Sequence, residues 1–352
     1  MRILIIGGGA IGNFLAARLT EARVSVALAA RPRTADAVAE QGGLRLVEAD
    51  GQEKLLELPV YPSVAAAFAG DDAFDLLLLA VKSYHTETAG REVLEAGGEG
   101  IPLLAIQNGV GNEESLAGIL PGSPILAGVL TTPVAVLGPA AIKISRPSFK
   151  FGLAPGPNAR DVPTIAPLLT NAGFAVTTYE DYRSLKWSKL LMNILANAQS
   201  AILGYTPAQI FADPRLGNLE LRAWREALAV MRASGVKPVA VGGYPLPLAA
   251  RAVRRLPLGL MRPIFARFIV GGRGEKMPSL YYDLHPKRRS HSEIEWMNGA
   301  VARTGENLGV STPVNAAFTR ILRALLSGEA NAADWAGQPE KLLAAVAISG
   351  KL

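Results

Sequence analysis

Short apolar runs recur through the first half of the chain, and apolar positions at helical spacing take over in the second. Residues 2–6 form one such run. A glycine cluster follows it, then an apolar-periodic stretch at 10–19, which predicts strand, turn and helix in that order. Further strands are expected at 24–29, 75–81, 101–106, 125–130, 140–145, 149–153 and 174–178, with 43–47 and 55–60 pairing around a turn at Asp50-Gly51. The run Asp75-Leu-Leu-Leu-Leu-Ala-Val81 is nearly continuous in apolar residues, as suits a strand covered on both faces of a parallel sheet. A helix is expected at 162–171. From Ser184 onward the period is helical, with helices expected at 184–203, 218–233, 290–308 and 313–326 and a helical tail over the last twenty-five residues. The pattern therefore predicts an α/β domain with a parallel sheet over residues 1–182 and an all-helical domain over 183–352, joined near Asp181.

The first turn carries the most specific chemistry. Gly7, Gly9 and Gly12 have G-x-G-x-x-G spacing between a strand and a helix, the context that makes this motif a dinucleotide site of Rossmann type. The first glycine allows a tight turn, the second lets a pyrophosphate approach, and the third brings helix and strand close; the free N–H groups near Ala10 and Ile11 then face the phosphate. After the second strand the sequence is Ala29-Ala30-Arg31-Pro32-Arg33, with no acid to bind a ribose 2′-hydroxyl. Two arginines in its place favour NADP(H) over NAD, the alternative being solvated loop charges. Lys82 and Asn108 each follow a buried strand, where ligands of open α/β sheets bind, though each also reads as an ordinary loop residue. In the expected helix 184–203, Lys189, Asn193, Asn197 and Ala201 lie four apart on one drifting face among apolar neighbours. That stripe faces a ligand cleft or else solvent at a domain edge.

Composition narrows the function classes. The chain has 352 residues, 49% of them hydrophobic, and a formal net charge of +6. It has no cysteine, which excludes disulfides and thiolate metal sites, and its three histidines lack metal-ligand spacing. No long apolar run suggests a membrane span and no cleavable leader is evident at the N-terminus, so a cytoplasmic protein is the expectation. The positive charge suits an anionic cofactor and substrate, or simply a basic surface. Nucleic-acid binding is not expected, because the arginines of 251–273 lack interleaved stacking aromatics. The stretch 234–276 is rich in Pro, Gly and Arg. A basic amphipathic segment could lie on a membrane, but Pro257 and Pro263 are expected to break its helix, which favours a surface subdomain or subunit contact.

Taken together, GGGAIG at 7–12, Arg31, the run ending at Lys82, IQNGVG at 106–111, the run from Lys189 to Asn197, and SEIEWMNG at 292–299 resemble the ketopantoate reductase family along nearly the whole chain. The resemblance implies a Rossmann domain, then a helical domain, and NADPH-dependent reduction of a 2-oxo acid, foremost 2-dehydropantoate in pantothenate synthesis. It implies Lys189 as general acid, Asn193 and Asn197 on the substrate hydroxyl end, and Ser279 on its carboxylate. Glu293 would order the lysine, substrate or ribose, and Asn108 would lie beside the nicotinamide and its ribose. Arg31 and Lys82 would hold the adenosine phosphate end, and a homodimer is implied. The stretch 237–276 and the spacing from Asp283 to Glu293 are longer than in compact members, which leaves the identity of the 2-oxo acid open. A reductase of a different 2-oxo acid is the alternative, and an NADP-sensing protein without catalysis the more distant one.

Overall fold

The computed structural model describes residues 1–70, 73–159, 164–273, 276–285 and 288–349. The chain forms two units. Met1–Gln107 and Gly111–Lys186 make the first, and Asn108–Val110 with Trp187–Leu352 make the second.

Among the described residues the first unit holds twelve strands: β1 (Arg2–Ile6), β2 (Ser25–Ala29), β3 (Leu44–Val47), β4 (Glu53–Leu56), β5 (Val60–Tyr61), β6 (Leu76–Leu79), β7 (Leu103–Ala105), β8 (Ile125–Leu130), β9 (Val134–Gly138), β10 (Ala141–Ile144), β11 (Phe149–Pro155) and β12 (Phe174–Thr178). Eight form one sheet in the order β12-β11-β8-β7-β6-β1-β2-β5, and the other four a sheet β4-β3-β10-β9. Neighbours in the larger sheet run parallel except β8 and β11. Alternation in β1 divides the core. Ile3 and Ile5 join Phe14, Leu15 and Phe151 on one face, and Leu4 and Ile6 join Leu77, Val93 and Leu116 on the other. Because β2 and β5 lie on one side of β1 and β6 to β8 on the other, the strand order reverses at β1, and its carboxyl end is where an α/β sheet receives a ligand.

The expected strand at 55–60 is two pieces. Leu55 and Leu56 pair antiparallel with β3, whereas Val60 joins the large sheet beside Leu28. Strand β9 and the helices Pro32–Gln41, Val64–Phe68, Thr86–Glu95 and Asn112–Ile119 add to the expected elements. The helix expected at 162–171 is seen as Ile165–Asn171, and Val162 lies outside the described residues.

The second unit is helical. The stretch 184–203 is not one helix but Tyr182–Ile194 and Asn197–Leu203, separated at Ala196, whose φ of 55° is left-handed. The freed Ala196 N–H donates to the buried carboxylate of Glu220 at 2.8 Å, which accounts for the break. Likewise 290–308 is a 3-10 turn Glu293–Trp296 followed by the helix Asn298–Asn307, with Met297 between them at φ −109°, ψ −105°. Helix Pro214–Ala233 starts earlier than expected, because Asp213 caps it and Pro214 suits its first position. Trp224 on this helix is buried, donates from Nε1 to the Leu191 carbonyl at 2.6 Å, and meets Phe265 edge-on at 5.0 Å. The stretch 234–276 contains the helices Leu246–Arg255 and Leu258–Arg273, with residues 274–275 outside the described set. Pro257 separates them as expected, but Pro263 lies inside the second. The ring falls on the exposed side, next to the exposed turn at Gly259, so the carbonyl it leaves without an N–H can face water. The chain continues through helix Pro313–Ser327 to a tail helix Pro339–Ser349; residues 350–352 lie outside the described set. Among the described residues no helix is long and apolar enough to cross a membrane.

Candidate active site

In the first unit the glycine turn joins β1 to the helix Ala10–Glu21, and each glycine is required for a different reason. Gly7 has φ +115°, donates its N–H to the Ala29 carbonyl at 2.8 Å, and lies where an added Cβ would sit 2.9 Å from the backbone of Ala80 and Val81. A Cβ on Gly8 would meet Ala30 Cβ at 2.7 Å, and one on Gly12 would fall 1.8 Å from the Gly7 carbonyl oxygen. Gly9 is different, since a Cβ there would meet nothing within 4 Å. It is the helix N-cap and makes no side-chain cap bond, and Ala10 and Ile11 beyond it remain partly exposed. A crowded turn with one open position at a helix start that its N-cap side chain does not close fits a pyrophosphate.

Arg31 leaves the end of β2 as the N-cap of helix Pro32–Gln41, and Lys82 leaves the end of β6 as the N-cap of a 3-10 turn, Ser83–His85. The Arg31 Nη2 lies 2.8 Å from His85 Nε2. A guanidinium can only donate, so the imidazole nitrogen accepts. As β1 separates β2 from β6, this contact spans the strand that carries the glycine turn. The His85 ring is set edge-on against Tyr84 at 4.7 Å. His85 goes unnoticed in the sequence; its signal is its place three residues after Lys82.

In the second unit four distant segments meet. From Ser184 to Asn197 all residues are buried except Lys189, Met192 and Asn193, so the polar stripe is the accessible side of an otherwise buried helix. Asn193 Nδ2 donates to Asn108 Oδ1 at 3.1 Å. Asn197 Nδ2 donates to the Asn193 carbonyl at 3.0 Å and to Ser279 Oγ at 3.2 Å, while its Oδ1 accepts from the Leu280 N–H at 2.9 Å. Asn197 is itself buried, at 3% exposure, and these bonds engage both ends of its amide; Ser279 is exposed. The Asn108 turn is fixed further by the Val110 N–H, which donates to the Trp296 carbonyl at 3.1 Å. Gly109, at φ +81°, would put a Cβ 2.5 Å from that same carbonyl oxygen. Three residues before Trp296 stands Glu293, 2% exposed, at the start of its 3-10 turn. That turn begins at Ser292, whose hydroxyl donates to Asp283 Oδ2 at 2.8 Å and accepts from the Ile294 N–H at 3.2 Å. Asn108, Asn193, Asn197 and Ser279 thus form one hydrogen-bonded line, with Lys189 a helical turn before Asn193 on the same face.

A second polar cluster, in the first unit, escapes sequence reasoning. Lys186 and Glu113 are 3% and 1% exposed and form an ion pair at 2.8 Å. Lys186 Nζ also donates to the Gln107 carbonyl at 2.6 Å. The Gln107 side chain donates to Thr86 Oγ1 at 2.6 Å, and that hydroxyl lies 2.8 Å from both Asn112 Oδ1 and the Ser83 carbonyl. Burial pushes the Glu113 carboxyl above its ordinary range, against the opposing pull of Lys186.

Two family models match the chain. One, described as Ketopantoate reductase PanE/ApbA, covers residues 3–156, and the other, described as Ketopantoate reductase PanE/ApbA C terminal, covers 181–326. The chain is 27% identical over 328 residues to the 2-dehydropantoate 2-reductase of Archaeoglobus fulgidus, spanning 93% of this chain and 98% of that one. It is 29% identical over 347 residues to that of Mesorhizobium japonicum, spanning 92% and 98%. Among solved structures, a PanE/ApbA family ketopantoate reductase from Ralstonia eutropha JMP134 superposes with a TM-score of 0.78 at 26% identity, over 94% of this chain and 99% of that one. A D-mandelate dehydrogenase solved with NADH and anilino(oxo)acetate has the same fold, with a TM-score of 0.78 at 21% identity over 93% and 99% of the two chains.

Proposed function

Because this chain belongs to the ketopantoate reductase family, we propose that it reduces 2-dehydropantoate to pantoate, with NADPH as the reductant. The observation that carries the reading is the Lys189 to Asn193 face, the accessible polar edge of a buried helix, tied through Asn108, Asn197 and Ser279. When bound, NADPH supplies the hydride that reaches the ketone carbon. Gly7, Gly9 and Gly12 with the N–H groups of Ala10 and Ile11 hold its pyrophosphate, and Arg31 and Lys82 hold its adenosine phosphate end. The absence of an acid after β2 favours the 2′-phosphate form of the cofactor.

The ammonium of Lys189 gives its proton to the ketone oxygen as negative charge develops there, and recovers one from water afterwards. Asn108 and Asn193 direct amides at the substrate, and Ser279 offers its hydroxyl to the carboxylate. With its amide committed within the protein, Asn197 acts by holding Ser279 and the Asn193 turn. The buried carboxyl of Glu293 orients the lysine or the cofactor ribose.

Replacing Lys189 with alanine tests this directly. K189A is expected to lower kcat by about a hundredfold or more, while fluorescence titration gives an NADPH dissociation constant within about twofold of wild type. Unchanged turnover would reject Lys189 as the acid. A second reading, reduction of a different 2-oxo acid, is favoured by the two helices within 234–276 and by the fold shared with a D-mandelate dehydrogenase. Initial rates on a panel of branched and aromatic 2-oxo acids separate the two: the acid with the highest kcat/KM is the substrate class.

A further inference from the structure

Lys186 and Glu113 play no part in that chemistry, yet two charges held almost wholly out of water demand a reason. A buried ion pair contributes little net stability, because desolvating both charges costs about as much as their attraction returns. Its position supplies the reason. Gln107 is the last residue of the first unit before the Asn108–Val110 segment, Asn112 and Glu113 follow just after it, and Lys186 closes the unit. The segment is therefore a short turn whose two ends are fixed by one cluster. Lys186 reaches the Gln107 carbonyl on the entering side and the Glu113 carboxylate on the leaving side. Thr86 likewise joins the two sides, bonded to the Gln107 side chain and to Asn112. Gly109 and Gly111, at φ +81° and +97°, give the turn a shape that few other residues adopt, and its first residue, Asn108, accepts from Asn193.

We propose that Lys186 and Glu113 are positioning residues that set the Asn108 turn: the single ammonium clamps both ends of the turn, so the Asn108 amide is presented in one orientation. This rests on the proposed role of Asn108 in the reductase site. The functional bond is Lys186 to the Gln107 carbonyl, and Glu113, paired with the ammonium at 2.8 Å, holds it in place.

Four variants test it, K186M, K186R, E113Q and the double variant K186M/E113L, each with thermal stability, kinetics and hydrogen exchange of peptides spanning 106–112. K186M is expected to lower kcat about tenfold or more, the loss expected from one charge-assisted bond, with the NADPH KM within about twofold. K186R is expected to recover most of the turnover, and E113Q to fall between wild type and K186M. The double variant removes both charges and should regain the melting temperature of wild type, but not its turnover, because the Gln107 carbonyl still lacks its donor. In an N108A background, adding K186M should cost less than about twofold, since residues that act through one another are not additive.

The proposal is overturned if K186M/E113L regains turnover together with stability, or if K186M costs the same factor with and without Asn108. Should the wild-type protein reduce no 2-oxo acid, the reductase reading fails on its own. The exchange data then decide the clamp separately: faster exchange at Gln107 to Gly111 in both K186M and K186M/E113L supports it, and unchanged exchange refutes it.

Discussion

Gly9 and Gly12 belong to one motif, yet they answer to different constraints, and alanine at each should separate cofactor binding from folding. At Gly12 a methyl group would meet the Gly7 carbonyl oxygen at 1.8 Å and the Gly7 carbonyl carbon at 3.0 Å, backbone that no side-chain rotation can move aside. G12A is therefore expected to lose about 2 kcal/mol or more of unfolding free energy, at the upper part of the range for overpacked sites, and its NADPH affinity with it. At Gly9 the backbone has φ −89° and the space is open, so G9A should fold with stability within about 0.5 kcal/mol of wild type. On the proposed cofactor site the same methyl occupies the pyrophosphate approach, and NADPH binding should still weaken severely. Urea denaturation beside fluorescence titration checks both; equal stability losses in the two variants would reject this division of roles. The spacing of the motif is legible in the sequence. The tightness of Gly12 is not, because it arises from the Gly7 carbonyl folding back over the helix start and not from the strand surface.

At the scale of elements, apolar runs announce the buried strands and apolar periodicity announces the helices, and both signals are local. They fail where a distant group decides. The period of apolar positions continues unbroken through Ala196, so nothing in 184–203 marks an interruption; the break exists because the Glu220 carboxylate, from the helix Pro214–Ala233, accepts the Ala196 N–H. Asn197 consequently begins a new helix, which is how its amide comes to reach Ser279 and Leu280. Similarly, Lys186 looks in sequence like any polar residue on a helix three positions from Lys189, and its partner Glu113 lies seventy-three residues earlier. E220A should leave a buried N–H without its acceptor and cost about 1–3 kcal/mol, whereas E220Q, which keeps a carbonyl oxygen there, should lose appreciably less. The Asn197 amide resonances report the effect locally, and they should shift in E220A far more than in E220Q. If the two variants are equally destabilised, the carboxylate charge and not the hydrogen bond maintains the break.

Over the whole molecule, the two units carry partly buried carboxyl groups of opposite character, so acid should act on them in opposite senses. In the first unit Glu48 joins Arg18 at 2.6 Å and Lys54 at 3.1 Å, fastening the helix Ala10–Glu21 to the small sheet. Burial alone would raise its carboxyl, but the bonds from Arg18 and Lys54 outweigh that and hold it below the ordinary value of 4.5. A carboxyl lowered by folding contributes stability that is present above 4.5 and lost as pH falls through its folded value. In the second unit Glu226 accepts from the Val314 and Asn315 N–H groups at 2.9 and 3.0 Å, closing the start of helix Pro313–Ser327. Here burial dominates and lifts the carboxyl above 4.5 despite those bonds. Its contribution is fully present below 4.5 and declines as pH rises through the folded value. Single variants isolate the two signs from every other titrating group. The stability gap between wild type and E48Q should narrow as pH is lowered from 7 to about 4, because the charge that E48Q lacks is being neutralised in wild type as well. The stability of wild type minus that of E226Q should instead rise over the same range, as protonation removes from wild type a burden that the neutral variant never carries. Urea midpoints at several pH values measure both gaps, and a gap that moves the same way in the two variants would contradict the assignment of one carboxyl as stabilised by its charge and the other as burdened by it.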